Sequence, residues 1–259
     1  MTVARLMKKT LAVLTKGPAT ARNMAFSRFD YWPVRRLTNP VVRGLPVYCV
    51  SLVREHRRRK MMNKQAVELG LEKFELVDAV LGTDLDPIAL DREGIYDDQA
   101  SHALHDRSLT KSEIAASLSH GRVYDLIVER GHEAALVVED DCLFIPSRMD
   151  RIDLSKLPTG WDIVFLNAFT ENGRPRGHIT GQLYHGDAYT GSAAAYLLSA
   201  KGAKILAQRY KPVVMAADGL TGIKDLNRFM YYPDCALNGS VCYYYNSAID
   251  YIRPKVGTA

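Results

Sequence analysis

Long apolar runs are missing from this sequence. None approaches the roughly 20 residues that a membrane-spanning helix needs. The longest apolar stretch near the N-terminus, Leu11-Ala-Val-Leu14, is too short for the core of a secretion signal. Cysteine is also scarce. Cys49, Cys142, Cys235 and Cys242 form no CxxC pair and no Cys/His zinc spacing, which argues against a zinc module or a disulfide-framed secreted scaffold. Buried reduced thiols are the expectation, and with them a cytoplasmic chain. Internal repeats and low-complexity segments are absent too, so a solenoid is not expected. With 47% hydrophobic residues in 259, the chain has enough apolar material for one large globular domain or two small ones.

Acidic residues are nearly absent from the first 43 positions. That stretch holds nine Lys/Arg and a single acid, Asp30, for a charge of +8, whereas the remaining 25 basic and 28 acidic residues sum to −3. The excess positive charge is confined to one end, which points to an anionic partner surface there. Val3, Leu6, Met7, Leu11 and Leu14 fall on one face of a helix, with Arg5, Lys8, Lys9 and Lys16 largely elsewhere. That is the pattern of an interfacial amphipathic helix, and peripheral contact with an anionic membrane is the expectation. A helix docked on the domain would share the pattern. Because the rest of the chain is net acidic, nucleic acid is not an expected partner.

Residues 1–44 read as a basic arm and connector, and 45–259 as the domain. Leu45–Leu52 and Phe74–Val80 have the composition of buried strands, with a helix between them that stops at Gly70. Residues 82–108 read as a loop with short helical pieces. Thr110-Lys-Ser-Glu113 matches a capping box and opens a helix that closes at Gly131. Ala134–Val138, Trp161–Leu166 and Ala193–Ser199 read as further strands, the last followed by a helix to Arg209. Strand–helix–strand order predicts an α/β fold. The Tyr-rich last fifty residues carry no clear pattern.

The sharpest chemical signal is Leu136-Val-Val-Glu-Asp-Asp-Cys142, three carboxylates where a hydrophobic strand leaves the core. Ligands of open α/β sheets bind beyond the carboxyl ends of strands. Carboxylates there suit a hard divalent cation that neutralises phosphate oxygens. Alternation along an extended chain places Glu139 and Asp141 on one side, sharing the metal, and Asp140 on the other. A strand ending in solvated acids would leave the same triplet. Glu113, Ser117 and His120 form a polar stripe along their helix. The run Arg57-Arg-Arg-Lys60 reads as a solvated helix face, with one member available to a ligand.

Four blocks together resemble glycosyltransferase family 25, the lipooligosaccharide and collagen galactosyltransferase group. They are Val50-Ser-Leu-Val-Arg54 with Phe74–Ala79; Leu109–Ile114 running into Ser117-Leu-Ser-His120; Ala135–Asp141; and Gly191–Ser199 with Lys201-Gly-Ala203, followed at a distance by Asp218. They span roughly residues 45–220 in the family's order. One departure is Ala115-Ala116, where the family usually has Gly-Cys. The resemblance implies a GT-A-type, Rossmann-like nucleotide-diphospho-sugar transferase fold with a mostly parallel central sheet. It also implies inverting transfer of a hexose, galactose by preference, from a UDP-sugar to a glycan or glycolipid acceptor such as lipopolysaccharide core, with Mn2+ or Mg2+ as cofactor.

On that basis Glu139 and Asp141 are the expected metal ligands. Asp140 is a neighbour or ribose contact. Ser51, Arg54, Asp78 and His120 are the other expected donor contacts, Arg54 toward a phosphate and Asp78 toward uracil or ribose. Asp218 is the candidate base, with Asp187 and Asp162 as alternatives. A location on the cytoplasmic face of the inner membrane follows from glycolipid acceptors.

Overall fold

The computed structural model describes residues 17–167, 175–186, 192–242 and 244–245. The predicted amphipathic stretch at 1–16, Asp187 and Gly191 lie outside them. Helix α1 (Pro18–Arg28) and the short α2 (Pro40–Gly44) precede β1 (Pro46–Ser51), α3 (His56–Leu69) and β2 (Lys73–Asp78). Gly70, at φ 73°, ends α3 in the left-handed conformation that glycine adopts without strain. Short helices α4 (Pro87–Arg92) and α5 (Asp98–His105) fill the expected loop region. The long α6 (Lys111–Glu129) begins with the predicted capping box, in which Thr110 and Glu113 exchange side-chain and backbone bonds.

Strands β3 (Ala134–Glu139) and β4 (Cys142–Phe144) flank the acidic turn. Helix α7 (Pro146–Met149) and strands β5 (Ile163–Phe165), β6 (His178–Thr180), β7 (Leu183–His185) and β8 (Ala195–Ser199) follow. The chain then continues through α8 (Ala200–Arg209), α9 (Ala217–Thr221), β9 (Arg228–Tyr231) and β10 (Ala236–Asn238).

Eight strands form one sheet in the order β2-β1-β3-β8-β5-β9-β7-β6. The pairings β1–β2, β1–β3 and β5–β9 are parallel, and only β8 and β7 run against the other six. This is the expected α/β architecture with a mostly parallel central sheet. Side chains alternate across the strands. Val47, Cys49, Leu136, Val138 and Leu197 meet Met62, Ala66 and Leu69 of α3 on one face. Tyr48, Val50, Ala135, Val137 and Leu198 meet Val123, Tyr124 and Ile127 of α6 and Ala203 and Leu206 of α8 on the other. The sheet is therefore a middle layer between helices. At Gly121 a Cβ would stand 2.1 Å from the Tyr210 ring, so α6 and the end of α8 approach only because that position has no side chain.

The segment expected as a connector contributes to the core. Leu37 and Val42 join the α3-side cluster. The buried Trp32 donates its indole N–H to Phe144 O at 2.9 Å. Asp150 accepts from the backbone N–H groups of Thr38 and Asn39. Periodicity is a poor guide to this stretch because Trp32 and Leu37 are buried singly from irregular chain between α1 and α2. All four cysteines are free, and burial raises the thiols of Cys49, Cys142 and Cys235 above their ordinary value, which keeps them protonated and inert.

Candidate active site

The acidic triplet sits at the carboxyl edge of the sheet. Glu139 is the last residue of β3 and lies level with Val50, so Ser51 at the end of β1 is its neighbour and Asp78 ends β2 one strand further out. Asp140 N–H donates to Val50 O at 3.1 Å, and Glu139 N–H donates to Ala194 O at 3.0 Å. Glu139 is therefore clamped between β1 and the start of β8.

Asp140 and Asp141 occupy a turn, not an extended strand, so simple alternation gives way to individual partners. Asp140 faces α3. Its Oδ1 accepts from Arg58 Nη1 at 2.8 Å and its Oδ2 from Ser51 Oγ at 2.8 Å. Both oxygens are engaged within the protein, and Ser51 and Asp140 line the floor of the site. Burial raises the Asp140 carboxyl despite the opposing pull of Arg58.

Asp141 is 5% exposed. Its Oδ2 accepts from Ser240 Oγ at 2.5 Å, while its Oδ1 is buried with no hydrogen-bond partner among the described residues. Burial first, and then the charge of Glu139, push its carboxyl up to about 6. A buried carboxylate oxygen with no donor is costly unless a cation completes it. The observation fits the expected metal at Glu139 and Asp141. Among the described residues no three His, Cys, Asp or Glu side chains converge as a ready cage. Two carboxylates plus substrate phosphates and water are the usual arrangement for magnesium-like ions.

His120 stands behind Glu139. It is 1% exposed, with Nε2 3.7 Å from Glu139 Oε1. Its Nδ1 lies 3.0 Å from Tyr196 OH, which donates to Tyr124 OH at 3.2 Å. Nδ1 is engaged by Tyr196, and Nε2 faces Glu139 with no hydrogen bond among the described residues. His120 therefore lies buried behind Glu139, out of direct reach of solvent. Ser117, on the same stripe of α6, donates to Met215 O.

Asp218, in α9, is brought to the same edge. Its Oδ1 accepts from Ala193 N–H at 2.7 Å, two residues before β8 begins. The side chain is open to solvent yet crowded by protein on most sides. That crowding, followed by the charge of Glu139, raises its carboxyl, while Ala193 N–H and His120 pull the other way. Asp162 is excluded from this group. Ser199 N–H donates to its carbonyl, at the end of β8 remote from Ala195, and its carboxylate takes Asn227 N–H and Lys201. Arg54 is exposed in the turn after β1. Asp78 is exposed and pairs with Arg59 at 2.8 Å. Glu113 serves the helix cap and binds Arg107.

Arg58, Ser240 and Tyr245 are neighbours of the acidic turn that sequence reasoning missed. Arg58 is 7% exposed, so the basic run is not a wholly solvated face. It shares the buried stripe of Met62, Gln65 and Leu69, a spacing visible in the sequence. Ser240 and Tyr245 lie in the unassigned tail and carried no such signal.

The model of glycosyltransferase family 25 (LPS biosynthesis protein) matches residues 45–221. The chain is 31% identical over 174 residues to the probable inactive glycosyltransferase 25 family member 3 of Bos taurus, a match covering 62% of this chain and 28% of that protein. It is 32% identical over 130 residues to procollagen galactosyltransferase 1-B of Xenopus laevis, covering 46% of this chain and 20% of that protein. The chain thus spans less than a third of the length of these relatives. Among solved structures, a glycosyltransferase involved in the glycosylation of the major capsid of PBCV-1 aligns with a TM-score of 0.34 at 11% identity, covering 64% of this chain and 65% of that one.

Proposed function

The chain belongs to glycosyltransferase family 25, and from that premise we propose that it transfers a hexose, galactose by preference, from a UDP-sugar to a cell-surface glycan such as lipopolysaccharide or lipooligosaccharide core. The observation that carries this reading is the buried Asp141 Oδ1, without a hydrogen-bond partner among the described residues, beside Glu139 at the sheet's carboxyl edge. Glu139 and Asp141 are the residues to hold Mn2+ or Mg2+. When bound, such an ion supplies electrostatic stabilisation to the departing diphosphate.

The protein's own groups do the rest. Arg58 and Ser51 neutralise and fix Asp140, so the turn keeps its shape while carrying three acids. His120 backs the site behind Glu139. Asp218 accepts the proton of the acceptor hydroxyl as its oxygen bonds to the anomeric carbon and the bond from that carbon to the diphosphate breaks, with inversion. Arg54 and Asp78, both exposed at this edge, are the proposed nucleotide contacts. The basic N-terminal stretch suits peripheral attachment to an anionic membrane from the cytoplasm, where a glycolipid acceptor is presented. No described helix is long and apolar enough to cross a bilayer.

A second reading, a member that binds nucleotide or glycan without turnover, is favoured by the similarity to a relative named as probably inactive. The Ala115-Ala116 departure gives it little support, because the buried Ala115 serves through its carbonyl, which accepts from Ser119 Oγ. Release of UDP from UDP-galactose in the presence of manganese, abolished in Asp141→Asn, is the result expected for the enzyme. Manganese-assisted UDP binding without UDP release, across a panel of acceptors, selects the second reading. Absence of both removes the proposal.

A further inference from the structure

Asp141 is gripped by a part of the chain beyond the family match, which ends at residue 221. Strand β10 pairs antiparallel with β4, and Asn238 lies opposite Cys142. The next residue, Gly239, therefore arrives against Asp141, and its N–H donates to Asp141 O at 2.7 Å. A Cβ at Gly239 would stand 2.5 Å from that carbonyl oxygen and 2.7 Å from the Tyr245 ring, so the approach requires glycine. Tyr244 N–H and Tyr245 N–H both donate to Gly239 O at 2.8 Å, which folds the segment into a tight loop. The Arg58 guanidinium lies over the Tyr245 ring at 5.2 Å and closes the loop onto α3.

Within that loop Ser240 has a definite polarity. Its Oγ accepts from Arg58 Nη2 at 3.4 Å and donates to Asp141 Oδ2 at 2.5 Å, and its N–H reaches the same oxygen at 3.3 Å. One carboxylate oxygen is pinned by two donors, and the other, Oδ1, is buried with none. A carboxylate held in this way cannot rotate to share its oxygens. We propose that Ser240 is a positioning residue that presents Asp141 Oδ1 to a divalent cation. Arg58 braces the two aspartates together, Asp140 directly and Asp141 through Ser240. This inference rests on the metal reading given under Proposed function. Outer partners of this kind set ligand orientation and affinity.

The test uses the full chain and manganese alone, with free Mn2+ followed by electron paramagnetic resonance and binding heat by calorimetry. Ser240→Ala is expected to weaken Mn2+ affinity about tenfold or more with little change in melting temperature, and Ser240→Thr, which keeps the hydroxyl, is expected to restore it. Asp141→Asn is expected to abolish binding. If Asp141→Asn loses manganese while Ser240→Ala binds it as tightly as the parent, the role of Ser240 is overturned and the metal reading stands. If Asp141→Asn binds as tightly as the parent, the metal reading falls and takes this inference with it. A loss in Ser240→Ala that Ser240→Thr fails to restore also overturns the positioning role.

Discussion

Arg58 Nη1 lies 2.8 Å from Asp140 Oδ1, and each side chain is less than a tenth exposed. Burial works against both charges. For Arg58 the nearby Asp140 and Asp141 more than offset it, whereas for Asp140 burial prevails over the attraction. Removing one partner leaves the other uncompensated in a dry place. Arg58→Met is therefore expected to destabilise the fold by about 3–5 kcal/mol. Adding Asp140→Asn to that variant is expected to recover much of the loss, because the stranded charge is gone. Denaturant unfolding of the two variants measures both numbers. A double variant as unstable as the single one would mean that packing of the long side chain matters more than its charge.

The Asp141 carboxyl, raised from 3.8 to about 6 by burial and then by Glu139, makes metal-free stability depend on pH in an unusual sense. A raised acid binds its proton more tightly folded than unfolded. Its contribution is complete below 3.8 and is lost as pH rises through about 6. Asp141→Asn cannot titrate, so the metal-free variant is expected to melt above the parent at neutral pH, by roughly 5–10 °C. The gap is expected to close as the pH falls toward 4. Saturating manganese is expected to reverse the order, since it stabilises only the chain that binds it. Calorimetry across pH with and without the ion tests both halves; a gap that does not change with pH contradicts the assignment.

Much of this site was legible in the sequence, and the reasons for the rest are physical. Val137 and Val138 make an unmistakable buried strand, so the acids after them had to lie at a sheet edge. The cap at Thr110 and Glu113 fixed where α6 begins, and with it the burial of His120. The partners of the triplet were harder. Arg58 was hidden in a run of four basic residues that local composition calls solvated, although its spacing to Met62, Gln65 and Leu69 places it inward. Ser240 reaches Asp141 only through the β4–β10 pairing, a contact across 99 residues that no local pattern encodes. Asp162 was a plausible base until the strand directions placed it at the far edge.

The N-terminal segment divides into two parts with different expected behaviour. Residues 32–42 supply Trp32, Leu37 and Val42 to the interior. Deleting residues 1–40 is expected to lose several kcal/mol from cavity formation alone, at about 2–5 kcal/mol per large buried side chain. Deleting residues 1–16 removes four Lys/Arg and keeps every described residue. That shorter deletion is expected to leave the melting temperature within about 2 °C of the parent while weakening binding to vesicles containing anionic lipid. Vesicle co-sedimentation of the shorter deletion is the decisive measurement, because unfolding cannot mimic its result. Unchanged sedimentation would dismiss the membrane role of the arm.

Asp218 offers the most direct test of the chemistry. Its carboxylate is open to solvent, anchored through Oδ1 by Ala193 N–H at 2.7 Å, and raised by its crowded setting and by Glu139. A base must be ionised to accept a proton, and a raised carboxyl is a stronger base than an ordinary one. Activity in the parent is therefore expected to fall on the acid side of a limb lying above the ordinary aspartate value of 3.8. Asp218→Asn keeps an oxygen for Ala193 but cannot take the proton. Its kcat is expected to drop about 10²–10⁴-fold with the donor KM little changed, and at saturating manganese, which holds Asp141 ionised, the acid limb is expected to disappear from its pH profile. Removing a crowded charge should leave the melting temperature level or raise it, so a loss of activity would not reflect unfolding. A variant that keeps its turnover, or keeps the limb, would assign proton acceptance to another group at the same edge.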